Sequence, residues 1–410
     1  MVANASKNTF VRGRKECNIK PFYELALSMS NFTISPTATQ RSEELTKLIS
    51  KEISNNDGAI SFQKYMQMAL YTEGLGYYTT CNHIGARGDF ITAPEISSAF
   101  SKCLANQCAE VLRNLETPII LEIGAGMGTM AKDIIAALHQ HKLDFKYEYW
   151  IVETSQSLQE IQKQELQEIS KNLQVTVKWF CEIPTEKFQG VVLGNEILDA
   201  FPIIKFCKED SKLYEMGVTV KNQKLDWCKL PANKQLTQQI SAIEDTVGTL
   251  PNNYVSEINV SQNQFFQQLE NCLDKGIILL IDYGYDVHEY YTKERTQGTL
   301  QCYLQHQVFD NPLLYPGLVD ITSHIDFSFT AKIATDCGFT VKGFSKQMWF
   351  LYNCGIEQFL LDANDIKDSL SIKKLLLPQH MGEVFKVLAL GKNHGDEELL
   401  GFKKENIFNQ

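Results

Sequence analysis

Apolar residues recur at helical spacing from Ser42 to Ile53 (Leu45, Leu48, Ile49, Ile53), and Asn55-Asn56-Asp57-Gly58 supplies a strong stop. A second helix is predicted over Ser61 to Leu70, with Phe62, Tyr65, Met66, Ala69 and Leu70 on one face and Gly74-Leu75-Gly76-Tyr77-Tyr78 breaking it. After a loop from Gly85 to Pro94, helical periodicity resumes over 96–115. The pattern then alternates: a strand at 118–123, a helix at 129–141, a strand at 147–153, a helix at 156–171, and strands at 174–180 and 190–194. That rhythm predicts an α/β fold with a doubly wound sheet of parallel strands and a ligand at their carboxyl ends. Short apolar stretches at 203–208, 213–220 and 225–230 interrupt it as an inserted β-meander. A helix at Gln262–Leu273 leads into Gly276 to Asp282, whose unbroken apolar run predicts a strand buried on both faces. Residues 285–323 read as a loop-rich insertion, too long to be passive in a compact domain and therefore a candidate lid. A helix near 325–337 and strands near 339–345 and 384–391 complete a seven-stranded sheet. The expected organisation is a flexible tail at 1–40, a helical cap at 41–117 and a core at 118–410 with insertions near 203–260 and 285–323.

Composition narrows the class. The 410 residues are 44% hydrophobic, enough for one large core or two. A formal net charge of −10 with 21% charged residues argues against a nucleic-acid partner, which needs a basic face, and favours a basic one. The 11 cysteines are scattered without a Cys-x-x-Cys pair, the usage of a reducing compartment, and neither a disulfide scaffold nor a metal centre is expected. No apolar run approaches the roughly 20 residues that span a bilayer. Residues 1–15 carry Lys7, Arg12, Arg14 and Lys15 with no acidic residue, yet lack the repeated Arg-rich amphipathic face of a presequence. Together with a pI near 5.4, this favours a cytoplasmic, bacterial-type protein, with the mitochondrial matrix as the alternative.

The richest local signal is Ile119-Ile120-Leu121-Glu122-Ile123-Gly124-Ala125-Gly126-Met127-Gly128-Thr129. An apolar strand ends in an acid and runs into three alternating glycines, a turn where a ligand can approach the main chain. A dinucleotide fingerprint would put its third glycine at Thr129, and no Lys-Ser or Lys-Thr follows Gly128 as a phosphate-binding loop requires. The remaining pattern, acidic-x-Gly-x-Gly-x-Gly, is that of S-adenosylmethionine (SAM) sites; a ligand-free strand-to-helix turn is the bland alternative. Without a basic residue in the loop, the methionine carboxylate would fall to backbone amides at the helix N-terminus. Glu122 would brace the loop or meet the methionine amino group, and Glu153, ending the second strand, could accept hydrogen bonds from both ribose hydroxyls unless it merely caps a helix.

Three further clusters carry polar groups. Asn195-Glu196-Ile197-Leu198-Asp199 ends the fourth strand, and two carboxylates three residues apart would share a helical face if a short helix begins there. In that case Asn195 could simply cap the helix while Glu196 and Asp199 complement its positive end. The chemical alternative is a basic acceptor: a guanidinium with pKa above about 12 must be held bidentately and polarised rather than deprotonated. Gly88-Asp89-Phe90-Ile91-Thr92-Ala93-Pro94-Glu95 places Pro94 and Glu95 to start a helix or to contact ligand. In Pro316 to Phe327, His324 is the one histidine considered for function, with a structural role favoured.

Taken together these clusters resemble the MidA-like methyltransferase family, whose mitochondrial members are assembly factors of respiratory complex I. The resemblance spans roughly residues 40–392. It rests on Ser61-Phe62-x-x-Tyr65-Met66 through Gly76-Tyr77-Tyr78, Gly88-Asp89-Phe90-x-Thr92-x-Pro94-Glu95, the Glu122 glycine loop and Asn195-Glu196-x-x-Asp199-Ala200. Ile281-Asp282-Tyr283-Gly284, Gly298-Thr299-Leu300 and Pro316-Gly317 through Phe327 continue it in order. It implies a class I Rossmann-like methyltransferase fold and SAM-dependent methylation of a protein arginine, symmetric dimethylation in the mitochondrial members. Gly124, Gly126 and Glu153 carry over as cofactor residues, with Asn195, Glu196 and Asp199 at the active site; Glu122, Gly128, Pro94 and Glu95 join the cofactor side. One departure stands out: Gln301-Cys302-Tyr303-Leu304 follows Gly298-Thr299-Leu300 where the family pattern tends to have arginine in place of Gln301 or Leu304.

The leading expectation is therefore a protein arginine methyltransferase acting on a basic substrate such as a complex I subunit. A small-molecule or other-residue methyltransferase shares the same cofactor half, since fold does not choose the acceptor. An assembly chaperone that keeps a SAM pocket and binds a basic partner is the non-enzymatic alternative.

Overall fold

The computed structural model describes residues 34–80, 91–141, 143, 145–305, 307–363 and 365–403. Seven strands build the central sheet: β1 (Ile119–Ile123), β2 (Glu148–Val152), β3 (Thr176–Phe180), β4 (Phe188–Asn195), β5 (Leu273–Tyr285), β6 (Thr340–Lys346) and β7 (Phe385–Lys392). Their spatial order is β6-β7-β5-β4-β1-β2-β3, and the two-residue strand Ile325–Asp326 pairs alongside the end of β5. Strands β1 to β5 pair in parallel, while β7 runs antiparallel to both β5 and β6. Helices Thr129–Gln140 and Gln156–Leu173 make the crossovers β1 to β2 and β2 to β3. The sheet is apolar on both faces. Val191, Leu193, Ile277, Leu279 and Ile281 enter one core with helix Ser98–Leu112, while Val192, Ile278 and Leu280 enter the other with Phe265, Phe266 and Leu269. Burial on both sides is what a parallel sheet under helices demands, and it leaves the carboxyl ends of β1, β2, β4 and β5 as the open edge where loops gather.

The insertions hold more structure than the hydrophobic pattern predicts. Ile204–Glu209, Lys212–Lys221 and Lys224–Pro231 form the expected meander. Helix Lys234–Val247 and strand Tyr254–Ile258 follow, and the latter pairs with Ile204–Glu209. The same sheet takes Ala59–Ser61 as a further antiparallel strand on Lys212–Lys221, so the segment expected to be purely helical also contributes an edge strand. The loop-rich reading of 285–323 is likewise corrected. A short helix, Val287–Tyr290, precedes a three-stranded antiparallel sheet of Gln301–Leu304, Gln307–Phe309 and Asp320–Thr322. Strands of three or four residues hold at most two periods of alternation, so their pairing partners and not their own pattern define them. The first helix starts at Pro36, capped by the Ser35 hydroxyl, six residues before the expected Ser42; residues 1–33 of the expected tail lie outside the described residues.

Beneath the small sheet, Lys205 and Glu257 form a buried ion pair at 2.6 Å. Glu257 also accepts the Thr299 amide at 2.9 Å, and the Thr299 hydroxyl accepts the amide of His324 at 3.1 Å. Gly298, at φ +77°, lies so close that a Cβ there would sit 2.2 Å from Glu257 Oε1. The Gly298-Thr299 pair thereby ties the inserted sheet to the open edge of the central one.

Candidate functional site

At that edge a cavity of about 520 Å³ lies between the glycine loop and the small sheet. Its floor begins with the loop after β1. Gly124, Gly126 and Gly128 all have positive φ, at 70°, 54° and 83°, a conformation that side chains strongly disfavour. A Cβ on Gly124 would also come within 3.1 Å of Ile197 Cγ2. The turn delivers the chain into helix Thr129–Gln140, whose N-cap is Gly128 itself, so its first amides have no side-chain cap.

Glu153 follows β2 immediately and is only 7% exposed. The Ser155 amide donates to its Oε1 at 2.9 Å and Gln162 Nε2 to its Oε2 at 3.2 Å. Burial raises its pKa, opposed by these amides and that of Thr154. The helix-cap alternative does not describe it: the cap of helix Gln156–Leu173 is the Ser155 hydroxyl. Glu122 is buried more deeply, receives the Tyr149 hydroxyl at 2.6 Å, and is pushed up to about 7 by burial. With Pro94, Glu95, Met127 and Asn195 it lines a narrow recess of about 50 Å³ beside the main cavity. Glu95 Oε2 accepts the Thr92 amide at 3.4 Å and so also serves the short helix Ala93–Ile96. The adjoining Gly88-Asp89-Phe90 lies outside the described residues.

The segment after β4 differs from expectation. No helix begins there; Glu196 takes φ +52° and residues 196–203 form a turn, so Glu196 and Asp199 do not share a helical face and Asn195 caps nothing. The backbone is set from across the sheet. The Glu196 amide donates to Ile281 O at 2.8 Å, and Asp282 Oδ2 accepts the amides of Leu198 at 3.0 Å and Asp199 at 3.3 Å. Both carboxylates line the cavity, Asp199 buried and Glu196 half-buried. Glu196 is pushed up to about 8 by burial and then by Asp199, with Asn195 and the Ala93 amide opposing. Burial also raises Asp199, opposed by the Tyr283 hydroxyl, which it accepts at 2.5 Å. Asp199 Oδ1 and Asn195 Oδ1 are buried without a protein partner.

Aromatic groups form the opposite wall. Tyr71 and Tyr78 stack at 5.6 Å; Tyr71 donates to Ala200 O at 3.0 Å and Tyr78 to Asp320 Oδ1 at 2.8 Å. Phe201, Gln301, Tyr303 and His324 complete it. His324 is driven down to about 4 by burial and is neutral at physiological pH, edge-on to Tyr283 with ring centroids 5.0 Å apart. Of the two positions where arginine was expected, Gln301 lines the cavity while Leu304 is buried beneath it.

The structure thus brings Gly124, Gly126, Glu153, Asn195, Glu196 and Asp199 around one cavity and Glu122, Pro94, Glu95 and Gly128 beside it. Sequence reading passed over Asp282 and Tyr283 as site residues, although a charged residue closing the apolar run Ile277–Ile281 is itself a signal. Gln159 and Gln162 were also missed: they occupy the buried stripe of helix Gln156–Leu173 between Leu158 and Leu166, where apolar residues belong.

Charge fixes what such a cavity can receive. Among the described lining residues there is no Lys or Arg, while four carboxylates, Glu153, Glu196, Asp199 and Asp320, border it. Ribose hydroxyls suit Glu153, a carboxylate group suits the helix N-terminus, and cations suit the turn after β4. SAM carries a ribose, a carboxylate and a cationic sulfonium, and the residues present fit it.

Comparison with known proteins agrees. Residues 103–345 match the family model described as "Putative S-adenosyl-L-methionine-dependent methyltransferase". The chain is 28% identical over 383 residues to Protein arginine methyltransferase NDUFAF7, mitochondrial, of Danio rerio, covering 85% of this chain and 88% of that one. The protein of the same name from Homo sapiens is 28% identical, covering 81% and 80%. A crystal structure from Burkholderia thailandensis bound to S-adenosyl-homocysteine superposes with a TM-score of 0.84 at 32% identity, over 91% of this chain and 98% of that one.

Proposed function

Because the chain belongs to the family of S-adenosyl-L-methionine-dependent methyltransferases, we propose that it methylates arginine side chains of a protein substrate. The observation that carries this reading is the pairing of Glu196, half-buried, and Asp199, buried, on a turn that faces the cavity beside the glycine loop. The relatives' name, protein arginine methyltransferase, supports it. When bound, SAM supplies an electrophilic methyl group on its sulfonium. Glu153 would accept the ribose hydroxyls, while Gly124, Gly126, Gly128 and the first amides of helix Thr129–Gln140 would border the methionine portion. Glu122, Pro94 and Glu95 would close the recess around its amino end.

Glu196 and Asp199 would grip the guanidinium and orient one nitrogen toward the transferring methyl, with Asn195 holding Glu196 at 3.3 Å. A cation entering between two carboxylates whose pKa values are raised stabilises their ionised forms, so acceptor binding would itself charge the site. Tyr71, Tyr78 and Tyr303 offer faces on which the planar guanidinium can stack and exclude water. Catalysis would then come from positioning and from negative charge beside the acceptor nitrogen, which gives up a proton as it takes the methyl group, Glu196 or Asp199 accepting that proton.

The reading keeps the division into a cap at 41–117 and a methyltransferase core at 118–410, the cap supplying two of the aromatic faces. It also extends to a basic protein substrate, with a respiratory complex I subunit as the candidate that the sequence resemblance implies. The two arginine methyltransferases named above are labelled mitochondrial, so the compartment we propose is mitochondrial; the cytoplasmic expectation finds no support in those two labels. Among the described residues no helix is long and apolar enough to cross a membrane.

The test is incubation with isotope-labelled SAM and a protein extract, followed by mass spectrometry of peptides and small molecules. Methylated arginine that disappears with Glu196→Gln is the expected result. A labelled small product, or no transfer by a chain that still binds SAM, would overturn it in favour of another acceptor or of a chaperone.

A further inference from the structure

Gln162 touches neither cavity wall, yet it is fully buried and connects three parts of the cofactor half. Its Nε2 donates to Gly126 O at 2.9 Å and to Glu153 Oε2 at 3.2 Å, and its Oε1 accepts the indole N–H of Trp179 at 3.1 Å. The amide therefore has both its hydrogens and its oxygen engaged. A flipped amide would set its oxygen against a carbonyl and a carboxylate and its NH₂ against the indole N–H, so Trp179 selects one orientation. One turn earlier on the same face, Gln159 Nε2 donates to the backbone oxygen of Glu153 at 2.7 Å. One glutamine holds the main chain of that residue and the other its carboxylate.

We propose that Gln162 is a positioning residue for the cofactor, locking the Glu153 carboxylate to the Gly126 peptide so that the two meet the ligand as one preset surface. The proposal rests on the reading of Glu153 as the ribose acceptor. A carboxylate has about four lone-pair sites. Ser155 and Gln162 hold different oxygens, with the Thr154 amide also facing the group, so the lone pairs left for ribose hydroxyls have a set direction. Without Gln162 the carboxylate can rotate, and the Gly126 carbonyl loses the donor that fixes the plane of the loop peptide.

Calorimetric titration with S-adenosyl-homocysteine tests this without requiring turnover, using Gln162→Met, Trp179→Phe, Glu153→Gln and the double variant Gln162→Met/Glu153→Gln. Gln162→Met should weaken binding about tenfold, as loss of a charge-assisted hydrogen bond does. Trp179→Phe should weaken it by a smaller factor. The double variant should lose clearly less than the product of the two single losses, because part of what Gln162 does runs through Glu153. In turnover assays Gln162→Met should raise the KM for SAM and leave kcat at saturating SAM and the KM for acceptor within about twofold. Unchanged affinity in both Gln162→Met and Trp179→Phe, or losses that multiply in the double variant, overturns the positioning role. Unchanged affinity in Glu153→Gln overturns instead the ribose reading beneath it. Should Gln162→Met fail to fold, Trp179→Phe and its double variant with Glu153→Gln carry the same comparison.

Discussion

Tyr283 donates its phenolic hydrogen to Asp199 at 2.5 Å, so a residue two positions beyond the last β5 residue paired with β4 aims a carboxylate presented by the turn after β4. Asp282, one residue earlier, holds the amides of that turn. The two side chains convert the register between neighbouring parallel strands into the geometry of the site. Tyr283→Phe is therefore expected to lower methyl transfer roughly tenfold while leaving S-adenosyl-homocysteine affinity unchanged, since it frees Asp199 without touching the glycine loop. Steady-state kinetics beside a binding titration decide it; a loss in binding alone would assign Tyr283 to the cofactor half.

Glu196→Gln removes one charge but keeps a group that can still pair with Asn195. It should retain SAM binding and lose on the order of 100-fold or more in kcat, with Asp199→Asn behaving similarly. Full activity in both single variants and in the double variant would mean that other groups orient the acceptor, and Asp320 would be examined next. Loss of SAM affinity with normal turnover at saturation would move Glu196 to the cofactor side.

The same carboxylate carries a pH signature. Its folded pKa of about 8 lies above the ordinary 4.5. Below the lower value the group is neutral in folded and unfolded chains alike. As pH rises toward the upper value the unfolded chain gives up a proton that the folded chain keeps, so stability falls across that window. Glu196→Gln is free of this penalty: its melting temperature should match the parent near pH 4.5 and exceed it by a widening margin of a few degrees up to pH 8.5. A margin that narrows with rising pH would show that the site stabilises the ionised form.

Gly126→Val should abolish detectable SAM binding while the far-ultraviolet circular dichroism stays that of the parent. Valine is strongly disfavoured at φ +54°, and its branches would stand where the ligand meets the backbone. Unchanged affinity in a folded variant would remove this loop from the cofactor site.

How much of this was legible depended on whether the information was local. Strands β1, β4 and β5 announced themselves as apolar runs, and the acid, the spacing of Gly124, Gly126 and Gly128, and Glu153 at a strand end marked the residues that border one end of the cavity. The turn at Glu196 was misread because its backbone is held by Asp282, more than 80 positions away, and no local propensity encodes that. The strands at 59–61, 301–304, 307–309 and 320–322 were invisible for the same reason. Gln162 was a signal left unread: a polar residue in the buried stripe of an amphipathic helix needs partners, and here they are the glycine loop and Glu153.

The pairing of Ala59–Ser61 with Lys212–Lys221 bears on the order in which the molecule assembles. Glu122, the glycine loop, Glu153 and Asn195 belong to one consecutive stretch of β-α-β units, whereas Tyr71 and Tyr78 reach Ala200 and Asp320 across 129 and 242 positions of chain. Closing such long loops costs entropy before any contact rewards it, so the aromatic wall should form late in refolding. Pulse-labelled hydrogen exchange should find amides of 119–195 protected ahead of those in 204–221 and 320–322; simultaneous protection would contradict this order. In the interval between the two, a newly made chain could hold a nucleoside before it had anywhere to seat the molecule it is to modify.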